Sequence, residues 1–260
     1  MPVSIRLHVA APAAEIIIDA PARRNAFNME MWAALPSLID SAENDASVKG
    51  VIIHGGDTGH FAAGADISEF DVIYRDKATA TNSARVIADG LNAVARCSKP
   101  VIAAIEGVCI GGGVSVALTC DFRIASTEAR FGVTPARLGL IYPPDDTRRL
   151  VSAVGAAQAK DILFTGDIFD TERAHRIGLV TETCPVGASL QAAHEKVRLI
   201  ASLSQTSVRG AKEMINRLDS DDGLGDEDGL RLFVEASTGP DFREGYRAFL
   251  EKRKPNFPEQ

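Results

Sequence analysis

The chain has 260 residues, 45% of them hydrophobic, and a formal net charge of −7 at pH 7. Its length and apolar content are sufficient for a large buried core, and the acidic balance argues against a nucleic-acid partner, which would need a basic surface. No apolar stretch approaches membrane-spanning length and the start lacks a signal-peptide core, so we expect a cytoplasmic protein with no membrane partner.

Hydrophobic periodicity predicts a mixed pattern of strands and helices in the first two thirds of the chain. The predicted strands are 5–9, 15–19, 48–54, 101–105, 122–125 and a short element near 130–131, and the predicted helices are 29–44, 78–97, 114–119 and 147–164. The recurring order is strand, strand, helix. This order indicates an α/β fold.

The last third reads as helical, with predicted helices at 190–203, 204–218, 229–236 and 241–252. The acidic run 219–228 reads as a solvated loop, because it lacks the strict twelve-residue ligand series of a calcium-binding EF-hand. The four cysteines are far apart without C-x-x-C spacing, so we expect buried reduced thiols and no metal site: Cys97, Cys109, Cys120 and Cys184.

A glycine triplet, Gly111–Gly113, joins a β-branched strand to a helix start. Glycines allow close approach to the main chain, and the first N–H groups of a helix have no partner within it. Such a turn suits an oxygen that becomes negative during a reaction. The Rossmann pattern G-x-G-x-x-G and the P-loop pattern G-K-[ST] are both absent, so the triplet predicts an oxyanion site rather than a nucleotide-phosphate site.

A second segment, His60–Ile67, also follows a strand and ends in small residues. Together with Lys99–Gly107, the glycine triplet and Cys120–Ala125, it makes the chain resemble the crotonase, or enoyl-CoA hydratase/isomerase, superfamily over nearly its whole length. The resemblance implies a crotonase-like spiral of ββα units over residues 1–189. It also implies a helical oligomerisation region over 190–260, forming a homotrimer or a dimer of trimers.

The resemblance also implies a coenzyme A thioester substrate, with no further cofactor. The backbone N–H groups of Ala65 and Gly112 match the family's oxyanion hole, which holds the thioester oxygen. Residues that would contact the coenzyme A part are Arg23, Arg24, Ala26, Ala63, Ala65, Asp66 and Ile67, with Phe249 or Lys252 completing a neighbour's site.

Two positions depart from the hydratase pattern of this family. Hydratases carry two glutamates that activate and protonate water, and the matching positions here are Ser115 and Pro135. Addition of water needs such paired carboxylates. We therefore expect ordinary enoyl-CoA hydration to be absent or very slow, and we favour decarboxylation or isomerisation.

The segment from Thr134 to Tyr142 resembles methylmalonyl-CoA decarboxylase-like members, in which a T-P pair precedes a tyrosine at the same interval. In that reading Tyr142 orients the departing carboxylate or protonates the carbanion. The same decarboxylases have a histidine where this chain has Ala65 and a glutamate where it has Ser115, so the chain matches this subgroup only in part.

Four other readings stay open. For double-bond isomerisation the proton shuttle would be Asp145, Asp146 or Glu69, although an aspartate could instead cap a helix starting near Thr147. Acyl-CoA hydrolysis would use Ser115, with His60 as its histidine. The remaining readings are an atypical enoyl-CoA hydratase, with another group handling the water, and a coenzyme A-binding protein without catalysis.

Overall fold

The computed structural model describes residues 4–218 and 225–257. The strands of this part are β1 (Ile5–Ala10), β2 (Ala13–Ile18), β3 (Gly50–His54), β4 (Val101–Ile105), β5 (Val108–Ile110), β6 (Phe122–Ser126), β7 (Arg130–Gly132), β8 (Ile168–Asp170) and β9 (Glu182–Cys184). The α-helices are α1 (Met29–Asn44), α2 (Phe70–Ile73), α3 (Lys77–Arg96), α4 (Gly112–Thr119), α5 (Pro144–Thr165), α6 (Thr171–Arg176), α7 (Ser189–Ala201), α8 (Gln205–Leu218), α9 (Asp226–Thr238) and α10 (Pro240–Leu250).

Two sheets organise the fold. The larger has the strand order β1-β2-β3-β4-β6-β9, antiparallel at β1-β2 and parallel elsewhere, and the smaller has the order β5-β7-β8. A strand pair followed by a helix recurs as β1-β2-α1, β4-β5-α4 and β6-β7-α5. The predicted α/β class with ββα units is therefore confirmed.

The central strands β3 and β4 are buried along their whole length, as expected for parallel strands covered on both faces. Helix α1 has the predicted bounds, and Asn28 caps it by accepting the Met31 N–H at 2.9 Å. Its Trp32 and Leu35 side chains are buried in the core between the sheet and α3.

Strand β5 and helix α5 differ from the prediction. The predicted strand 101–105 matches β4, but β5, which follows a turn at Gly107, was not predicted. Helix α5 begins at Pro144, because proline is well suited to the first helical turn, so it does not start near Thr147. A non-helical Gly155 (φ 76°) interrupts it.

The C-terminal helices are attached to the core by a buried lysine. Lys212 of α8 donates to the Asp121 carboxylate at 2.7 Å and to the Lys99 carbonyl at 2.9 Å. Helix α7 packs its buried Val197 against Ile52 and Ile102 of the large sheet. The division into 1–189 and 190–260 stays a prediction.

Other parts of the sequence analysis can be compared with the described residues. All four cysteines are free and buried, as expected. Residues 219–224 of the predicted acidic loop lie outside the described residues, and 226–228 already belong to α9. No helix in the described part is long and apolar enough to cross a membrane.

Candidate active site

The backbone N–H groups of Ala65 and Gly112 come together where two loops meet. The parallel bridge between Phe27 and Ala65 uses the nitrogens of Phe27 and Asp66, so it does not occupy the Ala65 N–H. Gly112 is the first residue of α4, where an N–H has no acceptor within the helix. A Cβ built on Gly112 would lie 3.4 Å from the Ala65 nitrogen, so these two half-buried residues bring two donors to one place.

Glycine is required where these loops touch. Gly64 and Gly111 have φ angles of 111° and 51°, a region that side chains disfavour. A Cβ on Gly113 would lie only 2.4 Å from the Ala62 carbonyl oxygen. Main-chain hydrogen bonds between Ala62 and the β5 strand then hold the two loops in register. The geometry is that of an oxyanion-binding turn.

The Asn25 side chain holds the loop 55–60, which precedes Ala65 in the chain. The sequence analysis missed this role. Asn25 is fully buried with φ 61°, and its Nδ2 contacts the Gly55 carbonyl at 3.0 Å, the His60 carbonyl at 2.7 Å and Thr58 Oγ1 at 2.7 Å. The Asn25 Oδ1 accepts the Ala20 N–H at 2.9 Å. Asparagine adopts a positive φ more readily than most residues. The asparagine at this position was therefore the signal from which the sequence could have predicted a tight turn here.

One turn along α4 from Gly112, Ser115 begins a buried polar network. Its hydroxyl lies 2.9 Å from the Tyr142 hydroxyl. Ser115 also lowers the pKa of the Asp146 carboxyl, which lies beside it. Arg149 donates to Asp146 Oδ1 at 3.2 Å and to Asn92 Oδ1 at 2.6 Å. Residues three apart share a helix face, so the network starts on the face of α4 that carries Gly112.

Burial controls the protonation of this network. It raises the pKa of the Tyr142 phenol well above its ordinary value, and the nearby Asp146 charge adds to this. Burial also raises the pKa of Asp146, against the lowering effects of the Ser115 hydrogen bond and the Arg149 charge. Tyr142 is therefore a neutral hydroxyl at neutral pH, and Asp146 is the carboxyl group beside Ser115.

An apolar cavity of about 470 Å³ lies between α3 and the start of α5. Asp146 and Arg149 form part of its wall, which connects the cavity to the polar network. Apolar wall residues come from α3 and from the start of α5 with the residue before it: Ala84, Ile87, Ala88, Leu91, Pro143 and Pro144. This space fits a hydrocarbon chain better than a charged group.

The structure separates the predicted acidic candidates. Asp145 is exposed while Asp146 is buried, and both lie in the first turn of α5, so neither is the helix cap that we expected. The Glu69 carboxylate accepts the Met29 N–H at 2.8 Å and caps α1, so it is not a free proton shuttle. The network therefore includes one of the three candidates, Asp146.

Two further candidates lie elsewhere. Thr134 precedes the short 3-10 helix Pro135–Leu138, and its side chain does not cap that helix. His60 accepts the Val108 N–H at its Nδ1, 3.4 Å away, whereas the Ser115 hydroxyl bonds the Tyr142 hydroxyl. The serine and histidine proposed for hydrolysis are not brought together.

The predicted coenzyme A contacts form a partly exposed rim beside the oxyanion turn. Arg23 is half-exposed and forms an ion pair with the buried Asp66, whose Oδ1 also accepts the Ser68 N–H at 3.0 Å. Arg24 (φ 49°) and Ile67 are exposed. The remaining predicted contacts are Ala26 and Ala63, which are half-buried, and Phe249 and Lys252, which are exposed.

Comparison with known proteins identifies close relatives of this fold and site. Residues 9–260 match the enoyl-CoA hydratase/isomerase family. The short-chain-enoyl-CoA hydratase of Clostridium acetobutylicum is 36% identical over 248 residues, 93% of this chain and 92% of that protein.

Solved structures agree with this match. The crystal structure of an enoyl-CoA hydratase/isomerase family protein from Hyphomonas neptunium is 50% identical, with a TM-score of 0.96 over 100% of this chain and 99% of that chain. An enoyl-CoA hydratase/carnithine racemase from Magnetospirillum magneticum is 31% identical, with a TM-score of 0.93 over 99% and 96% of the two chains. The family and fold inferred by resemblance are thereby confirmed.

Proposed function

Because the chain belongs to the enoyl-CoA hydratase/isomerase family, we propose that this acyl-CoA enzyme moves a carbon–carbon double bond by proton transfer through a thioester enolate. The observation that carries the proposal is the buried hydrogen bond between Ser115 and Tyr142, one turn from Gly112, with the Asp146 carboxyl beside it. The sequence analysis favoured decarboxylation or isomerisation over hydration. This contact favours isomerisation.

The enolate oxygen takes the place between the Ala65 and Gly112 N–H groups. Fixed main-chain donors stabilise a charge that develops there without having to reorganise, and losing one such donor costs about 100- to 1000-fold in rate. The thioester carbonyl then lies near Ser115, since Gly112 and Ser115 share one face of α4.

Asp146 is the base of the proposed reaction. In a β,γ-enoyl thioester the C2–H bond breaks, the proton passes to Asp146, and the electron pair forms the dienolate. The Tyr142 O–H bond then breaks as its proton forms the new C4–H bond, which leaves a double bond between C2 and C3 and restores the carbonyl. The proton on Asp146 passes through Ser115 to refill Tyr142 and leaves the base ionised again. Atoms and charge balance without any co-reactant.

Ser115 links the base to Tyr142. When Asp146 is ionised, Ser115 donates to it and accepts from Tyr142; when Asp146 is protonated, the two hydroxyls reverse. After the reversal, the Tyr142 O–H no longer donates to Ser115 and can donate its proton to the substrate. The three residues thus carry one proton between them.

Hydration receives less support. The network includes the carboxyl group of Asp146, whereas the two hydratase glutamate positions hold Ser115 and Pro135. Hydrolysis is disfavoured by the distinct partners of Ser115 and His60. Coenzyme A binding without catalysis is tested by the same substrate panel as isomerisation.

Decarboxylation is the second candidate, favoured by the neutral and buried Tyr142 hydroxyl. Loss of CO₂ from a malonyl-type thioester leaves its bonding pair in the enolate, which Tyr142 protonates. This candidate resembles the methylmalonyl-CoA decarboxylase reading of Thr134 and Tyr142. Asp145 and Asp146 in the cavity wall count against it, because they repel a carboxylate substrate.

The experiment is a substrate panel in D₂O followed by mass spectrometry: β,γ-hexenoyl-CoA, crotonyl-CoA, methylmalonyl-CoA and hexanoyl-CoA. We expect β,γ-hexenoyl-CoA to become the α,β isomer with one deuterium at C4. The rate should fall at least about tenfold in Asp146→Asn and Tyr142→Phe. Tyr246→Phe, which changes an exposed tyrosine of α10, is the matched control.

Each other product contradicts the isomerase proposal in a recognisable way. CO₂ from methylmalonyl-CoA alone would establish the decarboxylase. Rapid hydration of crotonyl-CoA would show that other groups activate water. Binding of every thioester without turnover would identify a non-catalytic coenzyme A protein.

The coenzyme A and assembly predictions belong to this proposal. The phosphates would lie near Arg23 and Arg24, beside the Ala63–Ile67 loop. Helices α9 and α10 expose Phe233, Phe242 and Phe249, which supports burial against another copy in a trimer or a dimer of trimers. In that assembly Phe249 or Lys252 would complete a neighbour's coenzyme A site.

A further inference from the structure

The Asp146 carboxylate is held from two helices by one arginine. Arg149 follows Asp146 by three residues on α5, and its Nη1 donates to Asp146 Oδ1 at 3.2 Å. Its Nη2 donates to Asn92 Oδ1 at 2.6 Å, and Asn92 lies on α3. The guanidinium therefore joins the start of α5 to the middle of α3.

This ion pair is largely shielded from water. The side chains of Arg149 and Asp146 are only 11% and 3% exposed. Exposed pairs contribute little because water screens them, whereas removing one partner of a buried pair leaves a charge without compensation. A charge on Asp146 therefore depends on Arg149.

Other charged or titratable groups face Asp146 from every neighbouring element. Ser115 comes from α4 and Tyr142 from the segment before α5, and both are neutral. Asp145 of α5 opposes the Asp146 charge. Arg85 of α3 and Tyr74, which follows α2, line the same cavity. Arg149 is the cation in direct contact with the carboxylate.

We propose that Arg149 and Asn92 are positioning residues for proton transfer: Arg149 keeps Asp146 ionised and directed toward Ser115, and Asn92 holds Arg149 in place. The inference rests on the base role proposed above for Asp146. Arginine suits the task because its planar fork donates to two acceptors at once from fixed directions. The Asn92 side-chain oxygen accepts a hydrogen bond from the Arg149 Nη2 and adds no charge to the site.

The predicted consequence is a shift of the pH dependence with a defined sign. Burial raises the pKa of Asp146 and Arg149 lowers it, so removing the guanidinium raises it further. The base must be ionised to act. The acid limb of the pH profile therefore moves to higher pH in Arg149→Gln, and the rate recovers in alkaline buffer.

The experiment measures kcat/KM for β,γ-hexenoyl-CoA between about pH 5 and pH 9. We expect the acid limb of Arg149→Gln to move up by about one pH unit or more. Asn92→Ala should move it in the same direction by less, and should add nothing in the Arg149→Gln background. Arg176→Gln, the same change of charge on α6, is the control and should leave the profile in place.

A uniform loss of rate at every pH, with the limb unmoved, would overturn the inference, since it would indicate a merely structural role. Thermal unfolding shows whether each variant is folded. Should Arg149→Gln fail to fold, Arg149→Lys keeps the charge but loses the fork, and the Asn92→Ala shift should disappear in that background.

Carbon-13 NMR of carboxyl-labelled aspartate provides a readout that does not need turnover. The Asp146 signal is assigned from its absence in Asp146→Asn, and its titration midpoint should rise in Arg149→Gln. If wild type turns over no thioester but this midpoint still rises, the proposed function fails while the charge relation of Arg149 to Asp146 stands. An unmoved midpoint contradicts the inference whatever the activity.

Discussion

At the scale of single residues, the candidate site depends on how closely main-chain atoms approach one another. Gly112 and Ala65 contribute main-chain nitrogen atoms rather than side chains. Their small size matters because it leaves space for a substrate oxygen next to these nitrogens. A Cβ on Gly112 would lie 3.2 Å from the Trp32 ring and 3.4 Å from the Ala65 nitrogen. Small changes there alter the space available to an oxygen.

Gly112→Ala should therefore lower kcat at least about tenfold, because its methyl group narrows the space between the two donors. Gly210→Ala is the matched control, since a Cβ at Gly210 meets nothing within 4 Å. Steady-state kinetics on the best substrate of the panel compares the two variants. Equal activity of both would mean that the oxyanion does not lie at this position.

Asn25 is the other residue whose loss should be felt strongly. Asn25→Ala removes one side chain that bonds Ala20 and three partners in the loop before Ala65, and it leaves the Ala20 N–H without its acceptor. We expect the free energy of unfolding to fall by about 2–4 kcal/mol. Asn44→Ala, at an exposed asparagine with one hydrogen bond, should change it by about 0.5 kcal/mol or less. Urea unfolding measures the free energy of unfolding of both variants. Equally small effects would show that Asn25 does not anchor the loop.

At the scale of secondary-structure elements, α3 and the start of α5 together form the site's apolar wall. Ala84 and Ala88 lie four residues apart on one face of α3, and their small side chains leave the cavity open. The same pair of elements supplies Asn92 and Arg149, so the cavity and the polar network depend on one helix packing. A shift of α3 would change both.

Ala88→Phe should fill part of the cavity and shift the preference toward shorter acyl chains, because long chains lose their space. We expect kcat/KM for a dodecenoyl thioester to fall at least about tenfold relative to a hexenoyl thioester. Ala78→Phe places the same ring on an exposed position of α3 and should leave the ratio unchanged. An unchanged ratio in Ala88→Phe would place the acyl chain elsewhere.

At the scale of the whole molecule, the described C-terminal helices leave an apolar surface in water. Leu230 and Phe233 of α9 and Phe249 of α10 are all more than 60% exposed. Monomers rarely present so much contiguous apolar surface without a partner. The core, in contrast, is closed on both faces of the large sheet.

Light scattering at micromolar concentration should therefore give about three or six times the 27.6 kDa chain mass. The double variant Leu230→Asp/Phe233→Asp should dissociate, because charges placed in an apolar interface are costly. Val9→Asp, on a half-exposed apolar residue of β1, is the control. A wild-type monomer would refute the assembly, and with it the contribution of Phe249 or Lys252 to a neighbouring site.

The sequence by itself determined the α/β class, the family, the bounds of α1 and the two N–H donors. These follow from local rules of periodicity, capping and glycine conformation, and from motifs that are contiguous in the chain. Only the tertiary structure distinguished the buried Asp146 from the exposed Asp145 and from Glu69, which accepts the Met29 N–H, and only it gave Arg149, Asn92 and Asn25 their partners. Those choices depend on burial and on contacts between residues 30 to 57 positions apart, which no local pattern encodes.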